Sequence, residues 1–186
     1  MIRIIFILLL FFSTYVFASI GKISALNGEV QIKRLGISLQ AKKGFVIEKN
    51  DIISTSKNAR AQMIFDDGTV VSIGKASRLN ITDYIFNTTH PKKSTARFNF
   101  AKGAFKFITG KIGKLAPEKF KIETKTASIG IRGTVLLGNQ QAIACTQGEI
   151  TVSSNGITQI VPAGMMTQTI LGAAPTVPVE YVAGAI

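Results

Sequence analysis

The chain has 186 residues and is strongly basic, with 22 Lys and Arg against 10 Asp and Glu and a formal charge of +12. One histidine and one cysteine leave no material for a disulfide framework and little for a metal centre or a thiol–imidazole pair. With no serine in a nucleophile-elbow pattern either, neither an enzyme nor a bound cofactor is expected.

The first residues read as an address. Arg3 supplies positive charge, Ile4 to Phe12 is an unbroken apolar run, and Val16-Phe17-Ala18 ends in small or compact residues at the positions a signal peptidase reads. The apolar run is too short to span a bilayer comfortably. Residues 1–18 are therefore expected to be a cleaved signal peptide, with retention as an anchor the alternative, and no other segment suits a membrane span. The remainder is periplasmic or secreted on this reading, and a nucleic-acid partner is not expected. Its length fits one domain, residues 19–171, able to bury a core without cross-links.

Along that domain short alternating segments follow one another. Val30 and Ile32 alternate with Gln31 and Lys33, and Ile52 to Thr55 is a short strand after a Lys49-Asn50-Asp51 turn. Ala61, Met63 and Phe65 share one face of a hairpin that turns at Asp66-Asp67-Gly68 and returns through Val71 and Ile73. Adjacent aspartates admit a metal or acid–base role, but Asp and Gly at a tight turn satisfy its backbone angles, which is the simpler reading. Phe98, Phe100, Phe105 and Phe107 alternate with polar and basic residues, as a one-sided sheet requires. Gly110 to Pro117 reads as a loop with at most one helical turn.

Phe120, Ile122 and Thr124 begin the central stretch. It runs through Gly130-Ile131-Arg132-Gly133-Thr134 into the apolar Val135-Leu136-Leu137. Glycines flanking Ile131-Arg132 suggest positive φ, a bulge or close backbone approach. The Arg132 guanidinium either satisfies carbonyls at a strand edge, the favoured reading, or points outward to a ligand. Cys145, within Ala142 to Thr146, is expected to be a small core residue. Gln147-Gly148 reads as a turn, and Asn155-Gly156 as a two-residue hairpin. From Gly172 to Ile186 the composition is Gly, Ala, Pro and Val with almost no charge, and a mobile tail is expected.

Thr124, Ala127 and Gly130-Ile131-Arg132-Gly133-Thr134 together resemble the T-x-x-A-x-x-G-[VI]-R-G-T signature of the FecR domain, named for the ferric citrate regulator. Other pieces resemble that family in order: Gly28-Glu29-Val30, Asn50 to Thr55, Ala59-Arg60-Ala61 with Phe65 to Thr69, Gly148 to Val152, and Pro162-Ala163-Gly164. The resemblance covers about Ile20 to Thr169. Short strands with frequent turns predict an all-β domain. A faint echo between the stretches around Ile53 and Glu123 suits either a β-solenoid or a two-sheet sandwich, and the resemblance implies the solenoid-like form.

The resemblance also implies a periplasmic interaction domain in envelope sensing or regulation, with a protein partner of unknown identity. Gly130, Ile131, Arg132, Gly133 and Thr134, with Asp66, Asp67 and Gly68, are its motif residues, expected to be chiefly structural. A second function is open on charge grounds. Between Lys92 and Lys125 ten basic residues face only Glu118 and Glu123. Such a stripe suits an anionic glycan, wall polymer or lipopolysaccharide, with Lys102, Lys106, Lys111 and Lys114 as candidate contacts. It equally suits solvated strand lysines that discourage edge pairing, the favoured reading.

Overall fold

The computed structural model describes residues 19–186, so the expected leader and its cleavage point lie outside the described residues. Sixteen strands carry the fold. The first eight are β1 (Ser19–Asn27), β2 (Val30–Arg34), β3 (Ile37–Gln40), β4 (Val46–Glu48), β5 (Ile52–Thr55), β6 (Arg60–Phe65), β7 (Val70–Ile73) and β8 (Arg78–Ile85). After a polar loop come β9 (Thr95–Lys102), β10 (Phe105–Ile108) and a single helical turn and a half, α1 (Lys111–Leu115). Then follow β11 (Phe120–Thr124), β12 (Ser128–Gly138), β13 (Ala142–Ser154), β14 (Ile157–Pro162), β15 (Met165–Gln168) and β16 (Val179–Glu180).

All of them join one mixed sheet. Its main path runs β3-β2-β5-β8-β9-β11-β12-β10-β7-β6-β1-β4, and β13 leaves β12 to pair also with β14 and β15. The sheet curls into a half-barrel, and a side chain joins the two ends of the path. Arg34 on β2 reaches β4 at the far end, donating to the Val46 carbonyl at 2.8 Å and pairing with Glu48 at 2.5 Å. The same guanidinium holds Asp51 through two nitrogens at 2.9 and 2.7 Å, and lies 5.6 Å from the centroid of the Phe45 ring. Asp51 is fully buried, so this fork is the counter-charge that makes its burial tolerable.

The all-β expectation holds, whereas neither the β-solenoid nor the two-sheet sandwich describes this architecture. A solenoid stacks successive coils in parallel, and among the described residues the one parallel pairing is β9 with β11. A sandwich needs two separate sheets, and curling makes one suffice: the inner faces of distant strands meet each other across the half-barrel. Phe98 on β9 shows this, with its ring centroid 5.2 Å from Phe65 on β6, 5.1 Å from Phe107 on β10 and 5.6 Å from Phe120 on β11. Phe100 stacks on Phe105 at 4.2 Å. Alternation decides which side chains enter this core, since successive residues of a strand point to opposite faces. Phe98, Phe100, Phe105 and Phe107 are buried while Arg97, Lys102 and Lys106 are exposed.

Leu35 lies in the β2–β3 turn with a φ of 49°, beside Gly36 at 86°. Gln147-Gly148 does not turn the chain, because β13 runs unbroken through it; Gly148, at a φ of 80°, sits opposite a bulge in β12. The segment after Gly172 makes contacts with the rest of the chain. Val179 and Met166 pair between β16 and β15, and the Thr167 hydroxyl donates to the Thr176 carbonyl at 2.7 Å. Tyr181 and Ile186 pack on Leu137, Ala142, Ala144 and Met166, a small apolar cluster outside the main core. Asn155-Gly156 forms the expected tight turn, with both φ values positive.

Candidate functional site

Two of the motif regions carry polar chemistry, and the fold treats them in opposite ways. At the β6–β7 turn Asp67 is buried, at 1% exposure, while Asp66 beside it is exposed. The Asp67 carboxylate accepts four hydrogen bonds. They come from the Tyr84 hydroxyl at 2.9 Å, the Thr69 amide at 3.0 Å, the Thr69 hydroxyl at 2.8 Å and the Ile112 amide at 3.1 Å. Its carbonyl accepts from the Lys111 amide at 2.8 Å, and its amide donates to the Tyr84 oxygen at 3.0 Å. Asp67 therefore makes the tight turn and also ties it to β8 and to the start of α1. Gly110 fits against this knot because a Cβ there would stand 2.4 Å from backbone atoms of Asp67 and Thr69.

Burial and the Asp67 charge push the Tyr84 phenol far up, so it stays a donor at every ordinary pH. Asp66 is also raised, by burial first and then by the Asp67 charge. Of the two carboxylates at this turn, Asp67 is consumed by internal donors and Asp66 faces solvent.

The central motif is open instead. Thr124 fixes the turn before it: its hydroxyl accepts from the amides of Thr126 and Ala127 at 3.2 and 3.0 Å. On β12, Ile129 and Ile131 enter the core, so Gly130 and Arg132 share the outer face. Gly130 stands between Lys121 on β11 and Thr151 on β13, and Lys121 in turn lies beside Arg97 on β9. A Cβ on Gly130 would meet the Thr151 Oγ1 at 2.5 Å, so the missing side chain makes room for the Thr151 hydroxyl. Over Gly130 lies a cleft of about 740 Å³, rimmed by Arg97, Lys121, Arg132, Glu118 and Glu149.

Past Arg132 the strand bulges. Gly133 has a φ of 62°, and the register with β13 shifts between Arg132 and Val135. Thr134 is buried; its amide donates to the Thr109 Oγ1 at 2.7 Å and its carbonyl accepts from the Thr109 amide at 3.0 Å. The motif glycines thus supply both the positive φ and the close approach. Arg132 is exposed and lines the cleft, and among the described residues its side chain has no carbonyl partner. Although Glu149 is its cross-strand partner, no ion pair forms between them. Among the described residues, Arg97, Arg132, Glu118 and Glu149 have no ion pair or side-chain hydrogen bond, and Lys121 reaches only Glu123 at 3.5 Å.

The four candidate lysines are exposed but are not gathered together. Lys102 ends β9 opposite Arg78, Lys106 lies on β10 opposite Ser72 and Leu137, and Lys111 and Lys114 stand on α1. Strands β11 and β12 separate the first two. Residue-by-residue reading missed Arg97, Lys121, Glu149 and Thr151 as cleft residues. Period-two alternation does place Gly130 and Arg132 on one face, but the neighbouring strands become known only from the pairing.

Among the described residues no cluster of three or more His, Cys, Asp and Glu is placed to hold a metal, and no helix is long and apolar enough to cross a membrane. Comparison with known proteins adds the following. The family described as FecR protein matches residues 51–161. Two crystal structures, at 2.50 and 1.65 Å resolution, of a putative anti-sigma factor from Parabacteroides distasonis ATCC 8503 share the fold, each with a TM-score of 0.54 at 15% identity. Each match covers 71% of this chain and 60% of the other, so the chain spans about three-fifths of that protein's length. No curated protein matches.

Proposed function

The chain belongs to the FecR protein family, and from that premise we propose that it is a non-catalytic interaction module in an envelope sensing or regulatory route. It acts outside the cytoplasm, in the periplasm or beyond, after losing residues 1–18; the leader-like sequence supports this. Its partner is a protein. The fold shared with the Parabacteroides anti-sigma factor, a regulator by name, supports the signalling side of the reading.

The single observation that carries the proposal is the contrast within the motif regions: Asp67 is spent on internal bonds, whereas Arg97 and Arg132 have no side-chain partner among the described residues and line an open cleft. Exposed Arg with no internal partner, lining a concavity, is the usual material of an interface. An immobilised full-length chain incubated with envelope extract should retain one saturable protein partner that free chain competes away. Recovering none from extract in which partners are intact would overturn the reading.

A second reading, binding of an anionic glycan or lipopolysaccharide, rests on the exposure of Lys102, Lys106, Lys111 and Lys114. Their dispersal over β9, β10 and α1 suits a diffuse field more than a shaped site. It predicts binding that collapses with salt, because exposed charges are screened within about 10 Å at 0.1 M. Changing Lys102, Lys106 and Lys111 together to Gln would abolish such binding; unchanged binding would end this reading.

A further inference from the structure

We infer that the cleft over Gly130 receives a carboxylate side chain from an acidic peptide segment of the partner, gripped between Arg97 and Arg132. The inference rests on the interaction-module reading and names the chemistry of its contact.

The site is built on strands. Arg97 on β9, Lys121 on β11, Gly130 on β12 and Thr151 on β13 form one cross-strand row fixed by backbone pairing, and Arg132 opposite Glu149 forms the next row along on the same face. Gly130 keeps the floor free of a projecting side chain, and the Thr151 Oγ1 lies 2.5 Å from where its Cβ would be. The volume of about 740 Å³ is that of a pocket for an anchoring group. Two features select the occupant. Arg97 and Arg132 make no ion pair or side-chain hydrogen bond among the described residues, so both guanidinium forks are available for the two-pronged contact that planar carboxylates accept.

The rim also bears Glu118 and Glu149, leaving a surplus of one positive charge when Lys121 is counted. That mixture disfavours a densely charged polyanion, which the two carboxylates would repel. It admits a segment carrying one acidic residue among neutral or basic neighbours. The cleft therefore differs from the four dispersed lysines, which are not gathered into one concavity.

Short synthetic peptides bearing a single Glu or Asp, and the same peptides with Gln or Asn, would be titrated into the purified full-length chain by fluorescence anisotropy, with lipopolysaccharide vesicles as a competing class. Acidic peptides should bind at least about tenfold more tightly than their amides, the discrimination expected for one charge-assisted contact. R97Q and R132Q should each lose about tenfold, and K102Q/K106Q, outside the cleft, should lose nothing. G130A should lose binding through the displaced Thr151; should it fail to fold by circular dichroism, the two arginine variants still decide.

Acidic and amide peptides binding alike, acidic peptides not binding at all, R97Q and R132Q binding like wild type, or vesicles displacing the peptide from the cleft would each overturn the inference. The envelope-capture experiment separates this from the broader reading. A partner retained equally by wild type and R97Q/R132Q sinks the cleft and leaves the module standing, whereas a partner retained by neither sinks both.

Discussion

The β6–β7 turn and the β12 motif present charged side chains beside glycines, yet one is sealed and the other open. Asp67 is surrounded by Tyr84, Thr69 and the start of α1, whose donors converge because the sheet curls over the turn. Arg132 projects from the convex side, where its nearest cross-strand neighbour, Glu149, is not engaged. A charged motif residue is thus structural when folding brings partners to it, and available when folding leaves it on the outer face. The kind of residue does not decide; the side of the sheet does.

The largest effect should come from breaking a sealed charge. R34A strips the buried Asp51 of its guanidinium and removes the link between β2 and β4, and should cost about 3–5 kcal/mol in chemical denaturation. The Arg34 guanidinium is raised above its ordinary range, chiefly by its hydrogen bonds to Asp51. A raised folded value gives stability that is complete below the unfolded value and lost only as pH climbs past the folded one. The R34A deficit should therefore be the same at pH 7 and pH 9, and a deficit that shrank over that window would contradict the ion pair.

Next in size is Y84F, which removes one donor from the buried Asp67 and should cost about 1–3 kcal/mol with the fold retained. A variant as stable as wild type would mean that the knot at Asp67 holds without its phenol. By contrast R132Q, on the open side, should shift stability by no more than about 0.5 kcal/mol, as for other exposed positions without partners. Thermal melts of the two variants side by side test the comparison directly, and an R132Q loss as large as that of Y84F would erase it.

The smallest expected effect is at Asp66. Its carboxyl is raised by burial and by Asp67, so ionising it works against the fold: the favourable contribution is present below the unfolded value and lost as pH rises through the folded one. D66N should therefore stabilise slightly at neutral pH, by a few tenths of a kcal/mol at such an exposed site, about 0.3. The gain should vanish in acid, and a gain that persisted there would point to a cause other than charge.

Much of the inside–outside pattern was legible beforehand. Phe98, Phe100, Phe105 and Phe107 alternate with polar neighbours, and a strand's two faces follow from that spacing alone. Asn155-Gly156 announced its turn because both residues accept positive φ at low cost. The contacts of the tail were hidden for a local reason. A segment with few charges offers no periodic signal, and its partners, the Thr167 hydroxyl and the apolar patch around Met166, lie elsewhere in the chain. The pairing of Arg34 with Asp51 spans 17 positions and was equally hidden, since nothing in either segment specifies the other.

The sequence by itself determined that this protein is built of short strands, that Phe98, Phe100, Phe105 and Phe107 face one way and the basic residues between them the other, and that the glycines of Gly130 to Thr134 mark a bulge or close approach. Those are consequences of neighbours within a few residues, where sterics and alternation act. Tertiary structure alone decided that the strands form one curled sheet, that Asp51 is ion-paired and Asp67 hydrogen-bonded inside it, and that Arg97 and Arg132 come to flank a single cleft. Such choices depend on which strands pair, and pairing joins residues that no local preference relates.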